Sequence, residues 1–401
     1  MDVARVIVYI LAAAASLAAA NEDLAILARA VSDYEKVALA ARPDLKSAMS
    51  CVQSQAALAP ALEPDRQYLA HFRKGLCELA AGKLRNSEAG YRDAVSDFKQ
   101  AIAKWPAVST TGNEVASSVR VALAIARAHL GELDSARQDF AAILLRPNCP
   151  GTLLMPASGC GRYLDAARLW LGWIQFENGN LREAESLLRD IPESALKHRV
   201  AGLWALKFNQ FDQAAPHFLR ALAAPPPASV LGLLSPPVNR TDIHFELGFA
   251  RLHGGMPAEA VESFDAVVKA KPNNARAIFL RGRAREMLDR TKEALADYEL
   301  ASRTAFANVG EPFESGHAHY YRGVLLFRRK DFSRAESEFA SALNFETAES
   351  MKTDVEAWRH MAAVASGGCA ASAGMLEQTL PGTSRLFPRD EARQLLNSCR
   401  S

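Results

Sequence analysis

The sequence predicts an all-α solenoid of about seven or eight helix-turn-helix repeats, closed by a disulfide-clipped C-terminal cap. Three observations lead there. One helical stripe recurs seven times along the chain, a tiny residue precedes it at a nearly constant distance, and six cysteines fall into local pairs. The 401 residues carry 49% hydrophobic and 23% charged side chains, enough apolar surface for a core and too much for intrinsic disorder. Lys plus Arg number 47 against 45 Asp plus Glu, a formal charge of +2. A chain that grips nucleic acid by counterion release carries a larger, clustered excess, so no nucleic-acid partner is expected.

The stripe consists of Ala, a large residue four positions on, and Ala, Ile or Val three after that. It occurs at Ala94/Phe98/Ala101, Ala136/Phe140/Ile143, Ala184/Leu188/Ile191 and Ala214/Phe218/Ala221. It returns at Ala260/Phe264/Val267, Ala294/Tyr298/Ala301 and Ala335/Phe339/Ala342. Offsets of four and three place each set on one face of a helix. Twelve residues before the first Ala stand Ala124, Gly172, Gly202, Gly248, Gly282 and Gly323. Gly75 stands nineteen before Ala94, which suggests seven extra residues in that inter-helix turn. A tiny residue there lets two helices approach, with Ala or Gly expected to meet Ala across the contact. Turn residues such as Gly131-Glu-Leu-Asp134, Asn178-Gly-Asn180 and His253-Gly-Gly255 lie between the paired helices, and Pro106, Pro147 and Pro272 end second helices.

This pattern resembles the tetratricopeptide repeat, a 34-residue helix-turn-helix, over about residues 65–350. Asp242 to Asn274, Arg276 to Asn308 and His317 to Ser350 match best. Gly248 to Gly282 spans 34 positions and Gly282 to Gly323 spans 41, with the seven-residue insertion running from Asn308 to Glu314. The resemblance implies a tetratricopeptide-like solenoid whose first helices line a concave groove for a peptide or protein partner. Carried onto this chain, the groove positions are Leu169, Trp173 and Phe176, then Arg199, Leu203 and Leu206. Phe245 and Phe249 follow, then Arg276, Phe279 and Arg283, then His317, Tyr320 and Val324. Of these, Trp173, Phe176, Leu203, Phe245, Phe249, Arg276, Arg283 and Tyr320 are the candidate partner-binding residues. The alternative for any single apolar one is packing between adjacent repeats. The Lys/Asn clamp for a C-terminal carboxylate seen in some family members is not reproduced here.

Residues 1–20 read as an export signal. Arg5 precedes a mostly apolar run of twelve, Val6 to Leu17, and Ala18, Ala19 and Ala20 offer small residues before polar Asn21. About twenty apolar residues are needed to span a bilayer, so the run is short for an anchor. An Ala-rich first helix is the alternative. Export to a periplasm or to the exterior favours disulfides over buried reduced thiols. Cys51 and Cys77 lie equally far from Pro64, so a hairpin of helices over 44–60 and 64–80 sets them side by side. Cys149 and Cys160 bracket a loop, and Cys369 with Cys399 would clip the last helix to the body. The implied organisation is a signal at 1–20, N-terminal helices at 21–64, irregular repeats at 65–224 and a Pro-rich linker at 225–240. Regular repeats at 241–350 and a cap at 351–401 complete it.

Catalytic motifs are scarce. No glycine-rich phosphate loop occurs, so no cofactor is expected. Ser96/Lys99 and Ser194/Lys197 have Ser-x-x-Lys spacing, which in penicillin-binding enzymes pairs a nucleophile with its base, but no Lys-Thr-Gly follows. His317 and His319, two apart on a helix, diverge, so no metal is expected. The chain therefore reads as an exported, non-enzymatic protein-interaction scaffold without a membrane span once the signal is cleaved. Its rivals are a hydrolase with catalytic residues on the loops at 147–163 or 225–240, and a membrane-anchored envelope assembly factor.

Overall fold

The computed structural model describes residues 25–26, 28–30, 32–34, 36–37, 44–64, 66–105, 116–147, 157–224, 236–307, 312–345 and 349–400. All regular structure among them is helical. In chain order the helices are α1 (Leu45–Leu58), α2 (Gln67–Arg85), α3 (Glu88–Ala103), α4 (Ser117–His129), α5 (Leu133–Leu145) and α6 (Ala157–Glu177). Next come α7 (Leu181–Leu188), α8 (Ala195–Lys207), α9 (Phe211–Ala223), α10 (Arg240–His253), α11 (Pro257–Ala270) and α12 (Ala275–Met287). The last six are α13 (Thr291–Ala307), α14 (Pro312–Arg328), α15 (Phe332–Ala342), α16 (Glu349–Ala365), α17 (Cys369–Thr379) and α18 (Arg389–Arg400). The chain forms two compact units, one of Met1–Trp204 with Ala223–Val238, the other of Ala205–Leu222 with Asn239–Ser401. The signal-like segment, the Cys149–Cys160 pair and most of the Pro-rich stretch at 225–240 lie outside the described residues.

In the first unit, α2 pairs with α3, α4 with α5 and α6 with α7. In the second, α10 pairs with α11, α12 with α13 and α14 with α15, and α16 to α18 cap the end. The recurring stripe is the reason. All seven triads are buried, none of their residues more than 4% exposed. The tiny residue on the first helix makes room for the large member of the triad rather than for its Ala, which corrects the expected contact. A Cβ on Gly75, Gly172, Gly248, Gly282 or Gly323 would lie 2.7–2.8 Å from Phe98, Leu188, Phe264, Tyr298 or Phe339 respectively. Each glycine is thus the seat of a side chain from the partner helix.

Every repeat also turns at a left-handed residue. Asn86, Gly131, Gly179, Asn209, Gly255, Asp289 and Lys330 all have φ between 50° and 80°. Six of them stand five residues before the Ala of their triad, a second marker of the repeat. The described residues of the insertions lie in helices. Only Asn86 and Ser87 separate α2 from α3, so the seven extra residues near Gly75 are not in the turn. They continue the two helices by about a turn each, and the Gly82 and Gly90 backbones meet there: a Cβ on Gly90 would stand 2.7 Å from the Gly82 Cα. Likewise Pro312 to Glu314 of the later insertion belong to α14.

Side-chain caps settle several helix starts. Asp44 accepts from Ser47 N at 2.7 Å, Asn274 from Ala277 N at 2.9 Å and Asn239 from Thr241 N at 3.0 Å. Two disulfides fasten the outer helices, Cys51–Cys77 between α1 and α2 and Cys369–Cys399 between α17 and α18. Their Cα atoms are 6.0 and 5.6 Å apart, within the range a disulfide bridges without backbone movement.

Candidate interaction face

First helices of successive repeats touch in the second unit, α10 against α12 and α12 against α14. Their shared face carries aromatic rings with cations laid on them. The Arg276 guanidinium lies 5.5 Å from the centre of the Phe245 ring, and that ring meets Phe264 edge-on. Phe249 sits 4.2 Å from His253, which stacks on Phe211 at 5.4 Å. Arg283 lies 3.9 Å over Tyr321, and Tyr321 meets Tyr320 at 5.1 Å. Cation–π pairs of this kind contribute about 0.5–2 kcal/mol each according to their desolvation.

The face has a polar end. Glu286 accepts from Arg283 Nη1 at 2.9 Å, from Tyr298 Oη at 2.5 Å and from Arg328 Nη1 at 3.3 Å. Burial, with the Glu286 charge added, pushes the Tyr298 hydroxyl above its usual range, so it stays a neutral donor. Burial and then the Arg283 charge hold His253 below the ordinary histidine value. His253 is therefore a neutral ring at pH 7.

Two other arginines of α12 point into the repeat's second helices. Arg281 grips Asp297 with Nε at 3.1 Å and Nη2 at 2.7 Å, and reaches Asp265 at 2.7 Å. Arg285 adds a 2.6 Å bond to the same Asp297. This network, buried at Asp297 and half-exposed at Asp265, stitches α11, α12 and α13 together, leaving Arg276 and Arg283 on the aromatic face.

The sequence-selected residues therefore divide. Phe245, Phe249, Arg276, Arg283 and Tyr320 come together in the second unit. Phe279 and Val324, read at the same repeat positions, are core: Phe279 is 8% exposed and boxed by Tyr298, His317 and Tyr321. In the first unit Trp173 is half-buried edge-on to Trp170, Phe176 lies 5.2 Å beneath the Arg199 guanidinium, and Leu203 is half-buried on α8. Trp170 leads on through His129 to Tyr91, a four-ring row across α3, α4 and α6. Tyr321 and Arg328 were missed from sequence because they stand one position off the groove register; Glu286 is in register, at the repeat position of Phe176 and Leu206, but was passed over beside its apolar counterparts.

The motifs set aside earlier have structural roles. Ser194 caps α8 by accepting from Lys197 N at 3.2 Å, and Lys197 Nζ donates to the Ile191 carbonyl at 2.8 Å. Ser96 is exposed on α3. His319 contacts Glu338 and stacks on Phe345, whereas His317 meets Phe279. Among the described residues no group of three or more His, Cys, Asp or Glu is placed to hold a metal ion.

The tetratricopeptide repeat family matches this chain at residues 87–151 and 245–310. No curated protein matches it in sequence. Among solved structures, the C-terminal part of a tetratricopeptide-repeat protein from Cytophaga hutchinsonii is 18% identical, covering 66% of this chain and 94% of that one, with a TM-score of 0.40. MamA from Desulfovibrio magneticus RS-1 is 18% identical over 45% of this chain and 94% of its own, TM-score 0.37. YrrB, described as a tetratricopeptide-repeat protein with an unusual peptide-binding site, is 19% identical over 52% and 91%, TM-score 0.36. By sequence match over residues 87–151 and 245–310, and by glycine-seated helical hairpins, the chain carries tetratricopeptide repeats.

Proposed function

We propose that the protein is an exported scaffold that holds a peptide or protein partner on the first-helix face of its second unit. The observation that carries this reading is the row of half-buried rings and stacked arginines across α10, α12 and α14. Rings present wide apolar area at low entropic cost and guanidiniums supply directional donors, the combination enriched where proteins bind one another. Export is supported by the signal-like first twenty residues and by two disulfides joining neighbouring helices. No described helix is long and apolar enough to cross a membrane. The face lacks a nucleophile, base and orienting acid in one place, which favours binding over hydrolysis.

Affinity capture with the mature chain tests the face. Arg276→Glu should abolish capture of the main partner, while Glu293→Lys on the second helices should not. The reverse pattern places the working surface on the other side. Intact mass after expression in an exporting host tests the signal: the soluble exported chain should begin at Asn21, and a full-length mass there counts against cleavage.

A further inference from the structure

The polar end of the aromatic face holds more positive than negative charge. Arg283 and Arg328 share one carboxylate, Glu286, whose remaining bond comes from the neutral Tyr298 hydroxyl. Each guanidinium has five N–H donors, and each gives Glu286 a single nitrogen. The side chain of Arg328 is 63% exposed and that of Arg283 is 30% exposed. Arg283 is held in place by the Tyr321 ring beneath it, so its remaining donors are oriented before any ligand arrives. One helical turn on, at the spacing that puts two side chains on the same face, stands Met287, 51% exposed. His253, close enough to feel the Arg283 charge, continues the apolar surface to Phe249 and Phe211.

We propose that this corner, built by Arg283 and Arg328 with Met287 and the His253 ring beside them, receives an acidic side chain of the partner flanked by a bulky apolar residue. Two guanidiniums facing one carboxylate select a second carboxylate, which would take the donors that Glu286 leaves unused; the exposed methionine and rings select the apolar neighbour. Methionine adapts its shape to different apolar groups, so the corner specifies charge more strictly than side-chain outline. The inference rests on the scaffold reading above and adds the chemistry of what is held.

The test uses fluorescence anisotropy with the full mature chain and labelled seven-residue peptides that alternate leucine with glutamate. Both peptide ends are blocked, so no terminal carboxylate is present. The glutamate peptide should bind at least about tenfold more tightly than its glutamine counterpart, the size expected for a charge-assisted hydrogen bond. Its affinity should fall with salt. Arg328→Gln, at an exposed position, should weaken the glutamate peptide by about fivefold or more and leave the glutamine peptide unchanged. Equal binding of the two peptides, absence of binding at millimolar concentration, or indifference to Arg328→Gln with Arg283→Gln also without effect would each overturn the acidic corner. If the glutamate peptide fails while Arg276→Glu still abolishes partner capture, the scaffold reading stands and only the acidic corner falls. If Arg276→Glu leaves capture intact, the scaffold face itself is misplaced.

Discussion

Lys330 shows how much one residue's backbone costs. Its φ of 63° is the left-handed conformation that glycine adopts at the same turn in Gly131, Gly179 and Gly255. A side chain there costs about 1 kcal/mol, against a smaller entropic loss when glycine is introduced. Lys330→Gly should therefore raise stability by a few tenths to about 1 kcal/mol in a urea melt, and a loss of stability would show the lysine side chain to be engaged. A second single-residue effect concerns charge. Lys74 lies between two buried carboxylates, 2.6 Å from Asp97 and 3.0 Å from Glu78, and His71 supports Asp97 at 2.8 Å. One ammonium cannot neutralise both. Asp97 keeps its charge, with a pKa below the usual range, while burial and then Asp97 push Glu78 up to about 8 from 4.5. Between those two values the folded chain holds a proton that the unfolded chain has released. Stability should therefore fall as pH rises from about 4.5 to about 8. Glu78→Gln should flatten that slope, and an unchanged pH profile in denaturant titrations would show that Glu78 ionises normally.

Helix pairs explain which features were legible in sequence. The triads were readable because a large side chain and its glycine seat constrain residue type at fixed spacing. The Cys51–Cys77 pairing was readable because a hairpin makes equal distances from its turn into neighbours. The path of the insertions was not readable, since an added helical turn has the composition of its surroundings. Nor were the left-handed turns at Asp289 and Lys330, whose side chains carry no signal of φ. Arg283 looked like a free surface charge by its repeat position; its tie to Tyr321 depends on how close α14 comes to α12, which spacing does not encode. Charge reversal at Arg283 would thus disturb stability as well as binding, whereas Arg276 is exposed and the cleaner probe. Gly282 tests the seat directly. A methyl group there would stand 2.8 Å from the Tyr298 ring and 3.1 Å from the Asp297 Cβ, so neither the ring nor the Arg281/Arg285 network can yield without cost. Gly282→Ala should lose about 1–3 kcal/mol. The α4–α5 hairpin carries Ala124 at this position and buries it fully, so a helix pair can be set to accept the methyl group. A Gly282→Ala variant with unchanged stability would mean that α12 and α13 readjust in the same way.

At the scale of the whole chain, repeat proteins hold together through neighbours, so their ends are the weak places. The described disulfides are both near-neighbour links, closing separations of 26 and 30 residues. In the chain-entropy account each closure is worth about 3–4 kcal/mol. The two are not equivalent. Cys51 and Cys77 are fully buried in a core that runs from α1 to α6, where packing supplies much of the cohesion. Cys369 and Cys399 are only partly buried, on the rim of the cap core formed by Trp358, Met361, Leu376, Phe387 and Leu396. α18 adds two buried residues of its own, Ala392 and Leu396, and is otherwise held at its start, where Arg389 donates to Thr383, and at its end by an exposed pair in which Arg400 donates to Glu377 at 2.7 Å. Loss of the Cys369–Cys399 link should release α18 first. The double variant Cys369→Ala/Cys399→Ala should thus show amide exchange in α18 accelerated by orders of magnitude, with α12 and α13 nearly unchanged. Removal of Cys51 and Cys77 should instead lower the main melting transition, because their cavity lies inside the shared core. If the cap variant keeps α18 protected, packing of Leu396 against α16 and α17 suffices and the covalent link is redundant. If protection is lost throughout the second unit, the cap is a foundation for the repeats rather than a cover over their last exposed face.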